Sequence, residues 1–122
     1  MLKETPNVEV QSADEQFLLK VRTAIFSRMS DEQLGVESLA EDMALSRSQL
    51  LRKITALTGV SVNELIRTFR LQRAAQLLEK QWGPVSQIAY EVGFSNPSYF
   101  AKVFKEQYGV LPSEYRVSTT SA

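Results

Sequence analysis

The chain contains no cysteine and no histidine. These absences exclude a disulfide framework, Cys/His zinc sites and any Ser-His or Cys-His nucleophile pair. It also lacks a Gly-rich phosphate loop and a G-x-S-x-G turn, and its acids are scattered along the chain rather than paired. An enzyme is therefore not expected, nor a metal, nor a small-molecule cofactor. No apolar run approaches the roughly 18 residues that span a bilayer, and no signal-peptide pattern opens the chain. The expectation is a cytoplasmic protein without membrane contact, with which the absence of cysteine is compatible.

What is present is an ordinary globular composition, 43% hydrophobic over 122 residues, enough for one compact domain or two very small ones. Net charge is zero, but the charges are not evenly spread. Residues 1–42 hold nine acids against four bases; residues 43–122 hold ten bases against five acids. The split reads either as chance or as a basic functional region behind an acidic lead-in.

Helical signals run through the chain and no strand alternation interrupts them. Residues 1–12 carry no sustained period and read as a linker. Phe17, Leu18, Val21, Ile25 and Met29 predict a first helix from about Asp14 to Met29. A short helix follows over Val36 to Met43, then a helix capped by Ser46 and ended by Gly59. Ser61 caps a long helix from Val62 to about Lys80. Gly83 and Pro84 open a short helix ending near Val92 and Gly93. Asn96 caps the next, with Pro97 in its first turn and Gly109 at its end. A last turn is expected around Pro112 to Tyr115, followed by a disordered tail over 117–122.

Two of these segments repeat each other. SLAEDMALSRSQLLRKITALTG, from Ser38, aligns with SQIAYEVGFSNPSYFAKVFKEQYG, from Ser86. Ala40 matches Ala89, Met43 matches Val92 and Leu45 matches Phe94. Past a turn one residue longer, Ser46 matches Asn96, Leu50 matches Phe100, Ile54 matches Phe104 and Gly59 matches Gly109. Each unit is a short helix, a tight turn and a longer capped helix, the helix-turn-helix pattern. The expected fold is all-α, about seven helices. Its parts are a first helix plus helix-turn-helix subdomain over 13–60, a linking helix over 61–80 and a second helix-turn-helix subdomain over 81–116.

The run IAYEVGFSNPSYFAKVFKEQYGVLPSEYR resembles the signature of the AraC/XylS-type transcription regulators, and RLQRAAQLLEK, from Arg70, resembles their linking helix. The resemblance covers roughly residues 14–116. The first half is most similar to versions at the C-terminus of hybrid two-component sensors of Bacteroidetes-type bacteria. It implies sequence-specific binding to double-stranded DNA in adjacent major grooves and regulation of transcription, by activation through RNA polymerase. It also implies that sensor and dimerisation parts belong to a longer chain. By position, the family's base-reading residues fall on Ser48, Leu51 and Arg52 in the first unit and on Ser98, Ala101 and Lys102 in the second. Arg47 and Gln49 flank the first set; Asn96 and Pro97 flank the second.

A helical wheel leads to the same faces without the resemblance. At about 100° per residue, Leu50, Ile54 and Leu57 share one side, with Ser48 and Arg52 opposite and Thr55 and Leu51 beside them. In the second unit Phe100 and Phe104 face inward, with Ser98 and Lys102 opposite and Ala101 and Lys105 beside them. Small outward side chains let a helix enter a major groove, and a guanidinium at Arg52 can bond guanine O6 and N7 together. Ser48 and Ser98 can bond a base or a phosphate, or simply cap and solvate. Leu51 either touches a thymine methyl or packs against a neighbouring helix. Ser38 and Ser86 sit near the starts of the two short helices, whose free amides suit phosphates. Lys53, Arg67, Arg70 and Arg73 are further basic candidates; of Arg67 and Arg70, one is expected to face DNA and the other a carboxylate such as Glu64. Phe94, Tyr99, Phe100, Phe104 and Tyr108 are expected in the core rather than as base-stacking platforms, and Trp82 as a packing residue over the joint. The competing reading is a protein-interaction module of the same fold with little DNA affinity, which zero net charge favours.

Overall fold

The computed structural model describes residues 12–120, with side chains described for 12–116. Seven α-helices make up the described residues: α1 Ala13–Ser27, α2 Val36–Asp42, α3 Arg47–Thr58, α4 Val62–Glu79, α5 Val85–Glu91, α6 Pro97–Tyr108 and α7 Pro112–Thr120. The helix starts are chemically specified. Ser12, Ser46 and Ser61 each accept from the backbone N–H three residues on, and Glu15, Gln49 and Glu64 return the bond to the cap's own N–H. Ser12 thus begins the first helix and does not belong to the expected linker; the rest of that linker, 1–11, lies outside the described residues. Asn96 Oδ1 accepts from the N–H groups of Ser98 and Tyr99, with Pro97 following at the first turn.

The repeat is structural as well as sequential. Leu45 N–H donates to Ala40 O and Phe94 N–H to Ala89 O, both at 2.9 Å. Both long helices end on a left-handed glycine, Gly59 and Gly109. The repeat also runs past those glycines: Ser61 N–H and Leu111 N–H both donate to the glutamate three residues on, Glu64 and Glu114. The start of α7 is therefore the counterpart of the start of α4.

Helix α4 is the axis, packing against α1 and α3 on one side and α5, α6 and α7 on the other. One continuous apolar core runs through both units. Val21, Ile25, Leu39, Leu50 and Ile54 fill it in the first, Ile88, Ala89, Phe100 and Phe104 in the second, and Ala74 and Leu78 of α4 bridge them, all fully buried. Around Phe104 the rings of Phe100, Tyr108 and Tyr115 close within 4.6–5.7 Å, the offset and edge geometries that aromatic clusters favour.

Helix α7 is longer than the single expected turn. It remains helical through Thr120, where a disordered tail was expected from 117; residues 121 and 122 lie outside the described residues. The reason is tertiary. Tyr115 Oη donates to Glu79 Oε2 at 2.5 Å, and Arg116 Nη2 donates to Gly83 O, so the helix is tied to the end of α4 and the loop after it. That bond to the carboxylate, with burial, pushes the Tyr115 phenol up to about 12. One aromatic departs from expectation: Tyr99 is 44% exposed and is not a core residue; Trp82, expected to pack over the joint, is 49% exposed.

Candidate nucleic-acid interface

The two longer helices of the repeat, α3 and α6, present the candidate readers. Ser48 and Arg52 on α3, and Ser98 and Lys102 on α6, are exposed. Thr55 and Lys105 extend the same faces and are exposed too. Ala101 is half-buried, which brings the α6 backbone close to whatever covers that face. Leu51 is half-buried and packs against the core with part of its side chain.

Several flanking candidates are engaged within the protein. Gln49 Oε1 accepts from Ser46 N–H at 2.9 Å and Asn96 Oδ1 from Ser98 N–H at 2.9 Å, so both side chains serve to start their helices. Pro97 is a half-buried first-turn residue with no N–H to offer a phosphate. Ser38 Oγ is held at Gly35, accepting from its N–H and lying 3.2 Å from its carbonyl oxygen, while Gly35 itself offers α2 no side-chain cap. Lys53 extends its Nζ over the Phe17 ring of α1, 4.5 Å from the centroid. Arg70 does not meet a carboxylate. Its Nη2 donates to the backbone carbonyl of Asp31 at 2.9 Å, and its Nε is buried without a partner. Burial lowers its pKa, and Asp31 and Glu32 oppose that shift. Glu64 returns instead to the Ser61 cap. Arg73 Nη1 donates to Gln76 Oε1 within α4.

Of the candidate contact residues, the cations left facing outward are Arg47, Arg52, Lys102 and Lys105, with Arg67 half-buried on α4. Ser86 is exposed in the first turn of α5, whereas the matching position of α2 holds Glu37, 3.9 Å from Arg47. Both partners of that pair are largely exposed, so it restrains Arg47 only weakly. Of the acidic lead-in, Asp42 is neutralised locally: Arg28 holds it through two bonds of 2.7 and 2.9 Å. Asp31, Glu32 and Glu41 remain exposed.

Sequence reasoning missed a groove of about 550 Å³ between the units, lined by Asn63, Arg67 and Arg70 of α4, Ser95 and Tyr99 of the second unit, and Glu32 of the first. Nothing local marks it, because its walls come from three separate stretches of chain.

Two helix-turn-helix units on one chain, sharing a core and an axial helix, define a bipartite helix-turn-helix domain. The family model described as a helix-turn-helix domain matches residues 39–118. Histidine kinase P4 of Formosa agariphila is 41% identical over 113 residues, 92% of this chain but 8% of its own. The HTH-type transcriptional regulator MtrA of Neisseria gonorrhoeae is 34% identical over 70% of this chain and 29% of its own. The chain therefore spans under a third of either relative. Among solved structures, the C-terminal domain of AraT, a response regulator from Geobacillus stearothermophilus, superposes with a TM-score of 0.77 at 33% identity, covering 88% of each chain. The DNA-binding domain of AdpA, a global transcriptional factor solved in complex with a target DNA, superposes at 0.75 with 30% identity over 86% of this chain and 93% of its own. The chain belongs to the AraC-type helix-turn-helix family.

Proposed function

We propose that the chain is the DNA-binding output domain of a longer cytoplasmic transcription regulator, with α3 and α6 reading successive major grooves of one duplex. The carrying observation is the doubled unit: two capped helices with matching buried faces and matching exposed faces, both braced on α4. Arg52 reads a guanine edge in one groove and Lys102 a base edge in the other, with Ser48, Ser98 and Ala101 close to the groove floor. Leu51 supports α3 from the protein side. Arg47, Arg67 and Lys105 contact phosphates, and Ser86 does so at the start of α5. The AdpA domain's complex with a target DNA and the response-regulator origin of the AraT domain support this reading. Sensing and dimerisation then belong to other parts of the longer chain, and activation proceeds through RNA polymerase.

Arg52→Ala is expected to weaken binding to the best site by about 1–3 kcal/mol and to relax preference at one base pair. Lys102→Ala acts likewise on the other box. Binding measured on specific and scrambled duplexes checks this; equal losses on both would make these residues phosphate contacts instead of readers.

Salt dependence tests the electrostatic half. About four neutralised phosphates give a log–log slope of about −3 to −4, hence roughly a hundredfold loss of affinity between about 50 and 200 mM salt. The exposed acids Asp31, Glu32 and Glu41 lower the absolute affinity. An affinity that does not change over that range would favour the protein-interaction module.

A further inference from the structure

Where the two units meet beside the axial helix, one arginine of that helix lies between them. Arg70 lies midway along α4. From there its Nη2 reaches the carbonyl of Asp31, in the loop that follows α1 of the first unit. The same guanidinium lies against the turn of the second unit: a Cβ placed on Gly93 would stand 2.6 Å from Arg70 Nε and 2.8 Å from Cζ. It would stand 2.3 Å from Met29 O as well, so the turn of the second unit also meets the first unit's loop directly. Gly93 is buried and has φ +99°, a conformation side chains rarely allow, and its lack of a Cβ lets the two backbones and the guanidinium approach.

A helix alone is an imperfect spacer, because each unit can pivot on its end. A side chain gripped from both sides removes that pivot. Arg70 is half-buried, fills the floor of the groove between the units and holds a main-chain acceptor 39 residues away in sequence. Its Nε–H is buried without a hydrogen-bond partner, so the guanidinium is held by the Nη2 bond to Asp31 O and by packing against Gly93. Glu32 and Asp31 keep the local field favourable to its charge.

We propose that Arg70 is a positioning residue that fixes the separation and orientation of α3 and α6, and thereby the spacing of DNA boxes that the chain accepts. This rests on the two-groove reading above. It predicts a loss of spacing discrimination, where an ordinary packing residue would give only a loss of stability.

The absence of cysteine makes the test clean. Ala56→Cys on α3 and Gln107→Cys on α6, both exposed, carry a nitroxide pair as the only thiol labels. Pulsed electron resonance on this chain should show one narrow distance distribution. Arg70→Ala should at least double its width while circular dichroism remains helical. An unchanged width in a folded variant overturns the proposal. If Arg70→Ala does not fold, Arg70→Met, which keeps the stem but removes the donor, decides by the same reading. On DNA, the affinity ratio between aligned boxes and boxes displaced by half a turn should shrink about tenfold or more in the variant, with single-box affinity changed less than about twofold. A ratio that stays at the parent value contradicts the proposal. The two readings fail separately: a narrow distance that Arg70→Ala broadens, in a chain that binds no duplex, sinks the DNA function and leaves the positioning role standing.

Discussion

Gly93→Ala is expected to lower stability by about 2–5 kcal/mol and the melting temperature by about 10 °C or more. Two effects add. A Cβ at φ +99° is strained by roughly 1–2 kcal/mol. It also meets Met29 O at 2.3 Å, a backbone atom that cannot rotate away, and forcing such a contact typically costs about 1–3 kcal/mol more. A domain of this size has about 5–15 kcal/mol in total, so the loss is a large part of the whole. Gly109→Ala is the control. Its φ of +82° carries similar strain, but nothing lies within 4 Å of the added carbon. Its expected loss is about 1 kcal/mol. Thermal melts of the two variants therefore separate strain from collision; equal losses would show that the turn at Gly93 is not pressed against the first unit. The equivalent turn residue of the first unit is Ala44, which sustains φ +56° with a side chain because that turn is exposed.

Much of the fold was legible because its signals are local. Caps and stops are short-range chemistry, and Ser46, Ser61, Asn96, Gly59 and Gly109 all do in space what their identities suggest. Core pairs at helical spacing were legible too: Leu50 with Ile54 and Phe100 with Phe104 are fully buried. So was the exposure of Ser48, Arg52, Ser98 and Lys102 on the opposite faces. What escaped depends on long-range packing. Arg70 was expected to face either DNA or a carboxylate such as Glu64, since nothing near it in sequence announces Asp31 O or Gly93. Lys53 sits beside Arg52 in sequence, yet the approach of α1 carries its ammonium to Phe17. The ring of Tyr99 fits a buried pattern by type, but it is 44% exposed on α6. The continuation of the repeat into SVNEL and LPSEY was visible and would have lengthened α7, because Glu114 stands where Glu64 does.

The central claim is that one chain holds two readers at a fixed separation and sets both in one duplex. The axial helix α4 has 18 residues, about 27 Å at ~1.5 Å each. Successive major grooves on one face of B-DNA lie about 34 Å apart, and the widths of the units at each end of α4 supply the difference. The chain should protect two short boxes about 10 base pairs apart, centre to centre. They need not be palindromic, because Ser48 and Arg52 differ in company from Ser98, Ala101 and Lys102. Once footprinting has mapped the boxes, the decisive measurement is affinity after inserting half a helical turn, about five base pairs, between them. The insertion turns one box to the far side of the duplex, where a unit braced on α4 cannot follow. Affinity should fall about a hundredfold or more, to that of a single box. Affinity that survives the insertion would contradict the account, and would mean that only one of the two helix-turn-helix units reads DNA.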